Sequence, residues 1–214
     1  MKMKRILSSM IAALLLAALA ACGSPAQSET KETQAVTEGQ TASAESATAA
    51  GDNMTTRADV LVAYFSATGT TKGVAEKIAA ITGGDLYEIV PAQPYSDADL
   101  NWNDRSSRST IEQNDKSARP AIGSEQIDLS GYTTIYLGFP IWWGEEPRIL
   151  DTFVEKYSFE GITVIPFCTS SSSGIGRSGP NMEALAGSGT WLDGKRFGAS
   201  VSEADLQAWI EGLK

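Results

Sequence analysis

Short apolar runs alternate with amphipathic helical patterns from about residue 59 to the end of the chain. The first run, residues 60–65, is continuously apolar, which is typical of a strand buried on both faces of a sheet. A strand that is followed each time by a helix favours a parallel sheet with helices on both faces. The sequence therefore predicts an α/β fold.

Apolar runs and turn residues locate the individual elements. Strands are predicted at residues 60–65, 86–90, 133–139 and 162–168, with a short fifth strand or extended edge within 190–197. Helices are predicted at residues 72–81, within 99–116, from a first turn containing Pro147 to about 157, within 180–185 and at 203–213. Ser202 and Asp205 resemble a capping box at the last helix. Ligands in such sheets lie beyond the carboxyl ends of the strands, so the loops there are candidate sites.

The loop after the first predicted strand carries four hydroxyl residues and one glycine. It consists of Ser66, Ala67, Thr68, Gly69, Thr70 and Thr71, and a helix follows directly. Free N–H groups at the start of a helix attract anions, and hydroxyls add neutral donors. One interpretation is a cradle for a phosphate monoester that is bound without a cation. The other is a cluster of N-capping residues, which are commonly Ser and Thr.

The loop after the third predicted strand contains two adjacent tryptophans. Its residues are Pro140, Ile141, Trp142, Trp143 and Gly144, followed by Glu145 and Glu146. The indole rings offer a surface against which a planar ring can stack. The alternative is an apolar cap over the helix that starts near Pro147. Trp102, within the polar segment 91–130, is a candidate for a partner or substrate surface.

The loop after the fourth predicted strand is small and rich in donors, and it includes Thr169, Ser170, Ser171 and Gly174. It is either an exposed turn or a set of backbone amides that closes on the polar edge of a ring. Because the strands are predicted to be parallel, the three loops should meet at one edge of the sheet. A phosphate cradle, an aromatic wall and an amide-lined wall together describe a site for a flat ring on a phosphorylated chain.

These three loops resemble the flavin-binding loops of the flavodoxins. Residues 66–71 are similar to the phosphate loop of pattern S/T-x-T-G-x-T, and residues 139–144 to the loop beside the isoalloxazine ring in a subgroup with the sequence PIWWG. Residues 165–170 with Gly174 resemble the loop at the pyrimidine end of the ring. The resemblance covers residues 57–214 and implies a doubly wound, five-stranded parallel sheet in the order 2-1-3-4-5. Unlike many flavodoxins, this chain has no tyrosine or tryptophan in the fourth-strand loop.

The resemblance implies FMN as the cofactor, and electron transfer with a redox partner protein or a small electron acceptor. The implied cofactor-binding residues are Ser66, Thr68, Gly69, Thr70, Thr71, Pro140, Ile141, Trp142, Trp143, Gly144, Thr169, Ser170, Ser171 and Gly174. Glu145 and Glu146 are the acids expected nearest to the ring, where negative charge disfavours reduction. A further hypothesis is that the carbonyl of the Trp143–Gly144 peptide accepts a hydrogen bond from N5 of the reduced ring, in a geometry that glycine tolerates.

Three functions remain open from the sequence. The first is an electron carrier for protein partners, the second an FMN-dependent reductase of quinones or similar acceptors, and the third a non-redox binding domain that has lost the flavin. Flavodoxin-like folds support both redox activities. We expect a carrier, because the sequence contains no dinucleotide-binding fingerprint.

The amino terminus is predicted to be an export signal. Basic residues precede an apolar run at residues 10–21, and this run is shorter than the roughly 20 residues that cross a bilayer. Residues 19–22, Leu-Ala-Ala-Cys, resemble the lipobox of bacterial lipoproteins, although an ordinary secretory signal with a chance cysteine is the alternative. We therefore expect a signal peptide at residues 1–21 and a lipidated Cys22 that anchors the protein to the outer face of the bacterial cell membrane.

Composition supports one folded domain behind a tether. Residues 23–56 contain no aromatic side chain, so residues 22–56 are predicted to be a disordered tether that carries the lipidated Cys22. Residues 57–214 are long enough for one domain with its own core. The net charge of −9 lacks the basic footprint of nucleic-acid binding, and we expect a monomer with no nucleic-acid partner.

The chain contains no histidine, which excludes Ser–His and Cys–His catalysis. We therefore assign no catalytic residue and no metal site. Cys168 follows an apolar strand and is predicted to be a buried structural thiol.

Overall fold

The structure is a computed structural model that describes residues 59–213. The predicted signal peptide, the predicted lipidation at Cys22 and the predicted tether lie outside the described residues, as do residues 57, 58 and 214 of the predicted domain. Within residues 59–213, no helix is both long enough and apolar enough to cross a membrane.

The described chain alternates strands and helices in the predicted order. The strands are β1 (Val60–Tyr64), β2 (Asp85–Glu88), β3 (Thr134–Pro140), β4 (Thr163–Thr169), β5 (Thr190–Trp191) and β6 (Lys195–Phe197). The helices are α1 (Thr70–Thr82), α2 (Arg108–Asn114), α3 (Arg148–Lys156), α4 (Ser178–Ala186) and α5 (Glu203–Glu211). The strands pair in parallel in the order β2-β1-β3-β4-β5, and β6 also pairs with β4. The predicted α/β fold and strand order are confirmed.

The fifth position of the sheet is divided between β5 and β6. Trp191 pairs with Val164 and Lys195 pairs with Phe167. Between these two pairs the edge of the sheet advances by four residues, whereas β4 advances by three. Residues 192–194 run beside residues 165 and 166 of β4, and Pro166 has no N–H to donate to a neighbouring strand. The predicted short fifth strand is therefore two shorter strands separated by a bulge-like break.

Side chains on the two faces of the sheet form two separate cores. On one face, β1, β3 and β4 pack against α3 through Ile149, Phe153 and their neighbours, and against Met182 of α4. On the other face, alternate residues of the same strands pack against Val74 and Ile78 of α1 and against α5. Because both faces of the central strands are covered, their continuous apolar sequence is explained.

At the centre of the sheet, the backbone of one strand lies very close to an aromatic ring of the neighbouring strand. Gly138 in β3 lies opposite Phe167 in β4. A Cβ atom at residue 138 would lie 2.2 Å from the Phe167 ring, so this position accepts only glycine without rearrangement. Cys168, the next residue of β4, is fully buried, and burial raises the pKa of its thiol to about 12. The prediction of a buried structural thiol is confirmed.

Two helix starts test the capping predictions. Ser202 precedes α5, and its side chain accepts a hydrogen bond from the backbone N–H of Asp205 at 3.1 Å, as predicted. Pro147 is the N-cap residue of α3 rather than a residue of its first turn. Its φ of −62° suits either position, which is why the sequence did not separate them.

Candidate functional site at the carboxyl edge of the sheet

The ends of β1, β3 and β4 bring the three predicted loops together. We call them the phosphate loop (residues 66–71), the tryptophan loop (140–147) and the serine loop (169–176). Thr169 connects all three: its Oγ1 lies 2.8 Å from Oγ1 of Thr71, and its carbonyl accepts from the N–H of Ile141 at 3.1 Å. The predicted meeting of these loops at one edge is therefore correct.

Two cavities open between the loops. The tryptophan cavity, of about 410 Å³, is lined by Ser66, Ala67, Thr68, Thr71, Leu100, Trp102, Ser109, Pro140, Ile141, Trp142 and Trp143. The serine cavity, of about 480 Å³, is lined by Thr68, Thr70, Pro140, Thr169, Ser170, Ser171, Gly198 and Ala199. The two cavities share Thr68 and Pro140 and are therefore adjacent. Within the described part of the chain, no charged side chain lines either one.

The phosphate loop leaves the hydroxyl of Ser66 unpartnered and the start of α1 without a side-chain cap. Gly69 is the N-cap residue of α1, and no side chain within residues 59–213 caps this helix. Oγ of Ser66 is buried and has no hydrogen-bond partner in the described structure. The interpretation of this loop as an N-capping cluster is therefore wrong. A buried, unpartnered hydroxyl beside free helix N–H groups suits an anion.

The tryptophan loop turns back on itself through residues with positive φ. Trp142 and Glu145 exchange backbone hydrogen bonds of 2.9 and 3.1 Å across a two-residue turn. The central residues, Trp143 and Gly144, have φ values of 49° and 85°, which is the type I′ pattern. Among the described residues, Trp143 is the only non-glycine residue with a positive φ. Such strain is commonly retained at binding sites.

The two tryptophans have different surroundings. Trp142 packs edge-to-face against Phe65 and Tyr95, with ring centroids 5.5 and 5.1 Å apart. Trp143 remains 46% exposed at the turn. Both line the tryptophan cavity. Trp142 also packs against the core that contains Ile149 and Leu150 of α3, so the structure does not remove the alternative of an apolar cap over α3.

Polar side chains from α2 and α3 hold the tryptophan loop from behind. Nε2 of Gln113 donates to the carbonyls of Trp142 and Glu146, at 3.1 and 3.0 Å. Arg148, only 3% exposed at its side chain, donates to Oε2 of Glu145 at 2.8 Å. These contacts fix both ends of the turn from residues that lie outside it.

Glu145 and Glu146 do not stand as unpaired acids beside the candidate ring site. Glu145 bonds Lys116 and Arg148, which lower the pKa of its carboxyl, with the hydrogen bond from Lys116 as the largest cause. Glu146 is 1% exposed, 3.8 Å from Arg148, and accepts from Nδ2 of Asn181 at 3.2 Å. Neither residue lines a loop cavity. The expectation that their charges disfavour reduction stays a prediction, now with Arg148 close to both carboxylates.

Asp151 belongs to the same cluster of charged side chains as Glu146 and Arg148. Its carboxylate lies 3.3 Å from Nη1 of Arg148 and 3.8 Å from Nη1 of Arg119. Burial, and then the charge of Glu146, raise the pKa of Asp151 to about 6. The cluster therefore contains a group that titrates under mildly acidic conditions.

The serine loop contributes fewer residues than predicted. Ser170 and Ser171 line the serine cavity and are held by Arg196 of β6, whose Nε and Nη2 reach Oγ of Ser170 at 3.3 Å and the carbonyl of Ser171 at 2.5 Å. Gly174 lines neither cavity. The glycine that approaches the tryptophan loop is Gly176, whose Cβ position would lie 3.2 Å from the carbonyl oxygen of Gly144.

Comparison with known proteins gives the family. The family profile described as Flavodoxin matches residues 59–213. The chain belongs to the flavodoxin family. None of the curated proteins matches it significantly.

Solved structures agree with this assignment. This flavodoxin is 46% identical to a candidate flavoprotein from Bacteroides eggerthii DSM 20697, over 72% of this chain and 96% of that one, with a TM-score of 0.68. It is 44% identical to a candidate flavoprotein from Bacteroides uniformis ATCC 8492, over 72% and 99%, with a TM-score of 0.69. A flavoprotein from Lactobacillus acidophilus NCFM, solved in complex with FMN, shares the fold at 24% identity over 71% and 97%, with a TM-score of 0.53.

Several lining residues of this flavodoxin were not assigned to the site from the sequence. Leu100 and Trp102 come from the segment between β2 and α2, Ser109 comes from α2 itself, and Gly198 and Ala199 follow β6. The signal available was Trp102, a large aromatic residue in an otherwise polar segment. The predicted site residues Gly69 and Gly144 line neither cavity; they shape the loops instead.

Proposed function

We propose that this flavodoxin binds FMN at the carboxyl edge of its sheet and serves as an electron carrier that is exported and held at the cell surface by a lipid anchor. The observation that carries the proposal is the unpartnered Oγ of Ser66, buried beside the uncapped start of α1 and at the edge of an aromatic cavity. A flavoprotein with this fold has been solved with FMN.

The phosphate loop suits a phosphate monoester. Backbone N–H groups at the start of α1 and the Ser66 hydroxyl supply donors, and the helix dipole favours negative charge there. Since no cationic side chain lines either cavity within the described residues, binding should depend on these neutral donors. We therefore expect FMN to bind more tightly than riboflavin, and its affinity to vary little with salt.

The tryptophan cavity suits the ring. Its volume of about 410 Å³ and its apolar lining fall in the ordinary range for a cofactor pocket. Trp143 offers an exposed indole face for stacking, and the anchored Trp142 keeps the loop in place. When bound, the flavin supplies transfer of one or two electrons, and the surrounding residues set how readily it accepts them.

Lipid anchoring rests on the sequence of the amino terminus. Cys22 follows a short apolar run with small residues before it, and two acyl chains suffice for stable membrane attachment. A carrier at this position exchanges electrons with a partner protein or a small acceptor outside the membrane.

The experiment is reductive titration of the FMN-loaded protein together with steady-state assays using NADH and NADPH. A carrier takes up electrons stepwise from dithionite and turns over slowly with nicotinamide nucleotides. Fast turnover with a quinone as acceptor would replace the carrier with a reductase. A protein that stays colourless after incubation with FMN would leave only the non-redox binding function.

A further inference from the structure

We propose that Trp102, on the segment between β2 and α2, is a flavin-contacting residue that forms a second aromatic wall of the ring site. The inference rests on the proposed binding of FMN. It adds a contact from outside the phosphate, tryptophan and serine loops.

The exposure of Trp102 needs an explanation. At 73%, it is the most exposed large hydrophobic side chain among the described residues. It nevertheless lines the same cavity as Ser66, Thr71 and Trp143. An indole that is exposed beside a cavity, rather than scattered on an outer surface, is placed to bury its area against a ligand.

The segment that carries Trp102 is tied down on both sides. On its amino-terminal side, the carbonyl of Asp99 accepts from the N–H and Oγ of Ser109, at 3.1 and 2.6 Å. On its carboxyl-terminal side, the carbonyl of Asp104 accepts from Oγ1 of Thr110 at 3.0 Å. Trp102 is therefore exposed on a fixed backbone, which lowers the entropy that a ligand contact must overcome.

The same segment is packed against the tryptophan loop. The guanidinium carbon of Arg108 lies 4.1 Å from the centroid of the Tyr95 ring, and that ring packs edge-to-face on Trp142 at 5.1 Å. Nη1 of Arg108 also donates to the carbonyl of Gln93 at 2.7 Å. These contacts join the segment that carries Trp102 to the tryptophan loop before any ligand binds.

The chemistry of the cavity selects a flat aromatic ligand. Its walls carry indole rings and its described lining carries no charge, so an extended π-system gains most there. The phosphate loop borders the same cavity. A ligand that fills both should therefore carry its aromatic ring and its phosphate on one molecule. Trp102 should therefore contribute to ring affinity and not to phosphate recognition.

The test compares Trp102→Ala and Trp102→Phe with Ile111→Ala in the full-length protein. Ile111 is 56% exposed on α2 and lines neither cavity, so it is a matched control for loss of an exposed apolar side chain. The readouts are the dissociation constants for FMN and riboflavin and the quenching of flavin fluorescence. We expect Trp102→Ala to weaken both ligands by the same factor, about 3- to 10-fold for a lost aromatic contact, and to reduce quenching. Trp102→Phe should retain most of both, and Ile111→Ala should change neither.

Equal FMN affinity and equal quenching in wild type and Trp102→Ala would overturn the inference alone. Weakening of FMN without weakening of riboflavin would also overturn it, because the contact would then act on the phosphate. If the wild-type protein bound neither flavin, the proposed function would fail, and this inference with it.

Discussion

Ser66 and Thr71 belong to the same loop, but their hydroxyls have different roles. Oγ of Ser66 has no partner in the described structure, whereas Oγ1 of Thr71 bonds Oγ1 of Thr169. We expect Ser66→Ala to leave the free energy of unfolding unchanged or slightly higher, because no protein hydrogen bond is lost. The same change should weaken FMN by about 3- to 10-fold and leave riboflavin unaffected.

Thr71→Val is the matched comparison for Ser66→Ala. It removes a buried hydrogen bond between two loops and should lower the free energy of unfolding by about 1 kcal/mol. Urea unfolding of both variants, without flavin, measures the difference. A Ser66→Ala variant as destabilised as Thr71→Val would mean that the Ser66 hydroxyl supports the fold rather than a ligand.

Gly144 is needed for its backbone conformation, and not because a side chain at this position would collide with its neighbours. Its φ is +85°, and a Cβ atom there would meet nothing within 4 Å. Gly144→Ala should therefore cost about 1 kcal/mol or more through backbone strain alone, whereas Gly144→Asn should cost less because Asn tolerates positive φ. Thermal unfolding of the two variants checks this, and equal stability of Ala and Asn would contradict it.

The hypothesis that the Trp143–Gly144 carbonyl accepts a hydrogen bond from N5 of the reduced ring remains a prediction. If it is correct, Gly144→Ala should bring the two one-electron potentials of the bound flavin closer together than in the wild type. Stepwise photoreduction measures that separation. An unchanged separation would count against the hypothesis even if the variant were less stable.

At the scale of elements, α3 contacts the tryptophan loop through a cluster of charged side chains that contains Arg148 and Asp151, and the protonation of this cluster depends on pH. The pKa of Asp151 is about 6, above the roughly 3.9 of an unfolded Asp, so the folded protein binds this proton more tightly. The stability that the protonated carboxyl of Asp151 contributes is fully present below about pH 4 and is lost as the pH rises through 6.

Asp151→Asn should remove this dependence. Relative to the wild type, the free energy of unfolding of the variant should increase by roughly 2–3 kcal/mol as the pH is raised from 4 to 7. Arg148, Arg119 and Glu146 face Asp151 and remain in both proteins, so the change in slope isolates this carboxyl. A difference that stays constant over this pH range would contradict the assignment.

The elements themselves were largely predictable because their signals are local. Continuous apolar runs marked β1, β3 and β4, and apolar stripes with caps marked α1, α3 and α5. The division of the fifth strand was not predictable, because it shows only in the register against β4, where it lies beside Pro166. The pairing of Glu145 with Lys116 was also hidden, since Lys116 lies 29 positions away in the chain.

The site was predictable where loops follow buried strands. Parallel strands bring their carboxyl ends to one edge, so Ser66, Trp142 and Thr169 could be grouped without knowing any contact. Trp102 could be noticed but not placed in the ring site, because its segment carries little apolar pattern and is positioned by polar contacts to α2. Gly176 rather than Gly174 approaches the turn because of a backbone conformation that the sequence Gly-Ile-Gly does not specify.

At the scale of the whole molecule, the anchor can be tested separately from the cofactor. We expect Cys22→Ser to move the protein from the membrane fraction to the soluble exported fraction without changing its affinity for FMN. Fractionation of cells that express wild type and variant measures the distribution. Retention of Cys22→Ser in the membrane fraction would refute lipid attachment at this residue and would leave the flavin site unaffected.

The most direct test of the flavin site is calorimetric titration of the purified apoprotein with FMN and, separately, with riboflavin. We predict one FMN per chain, weaker binding of riboflavin because the donors of the phosphate loop lose their ligand, and little change in FMN affinity when salt is raised. Equal affinity for both flavins would contradict the phosphate loop, and no heat with either would contradict the site as a whole.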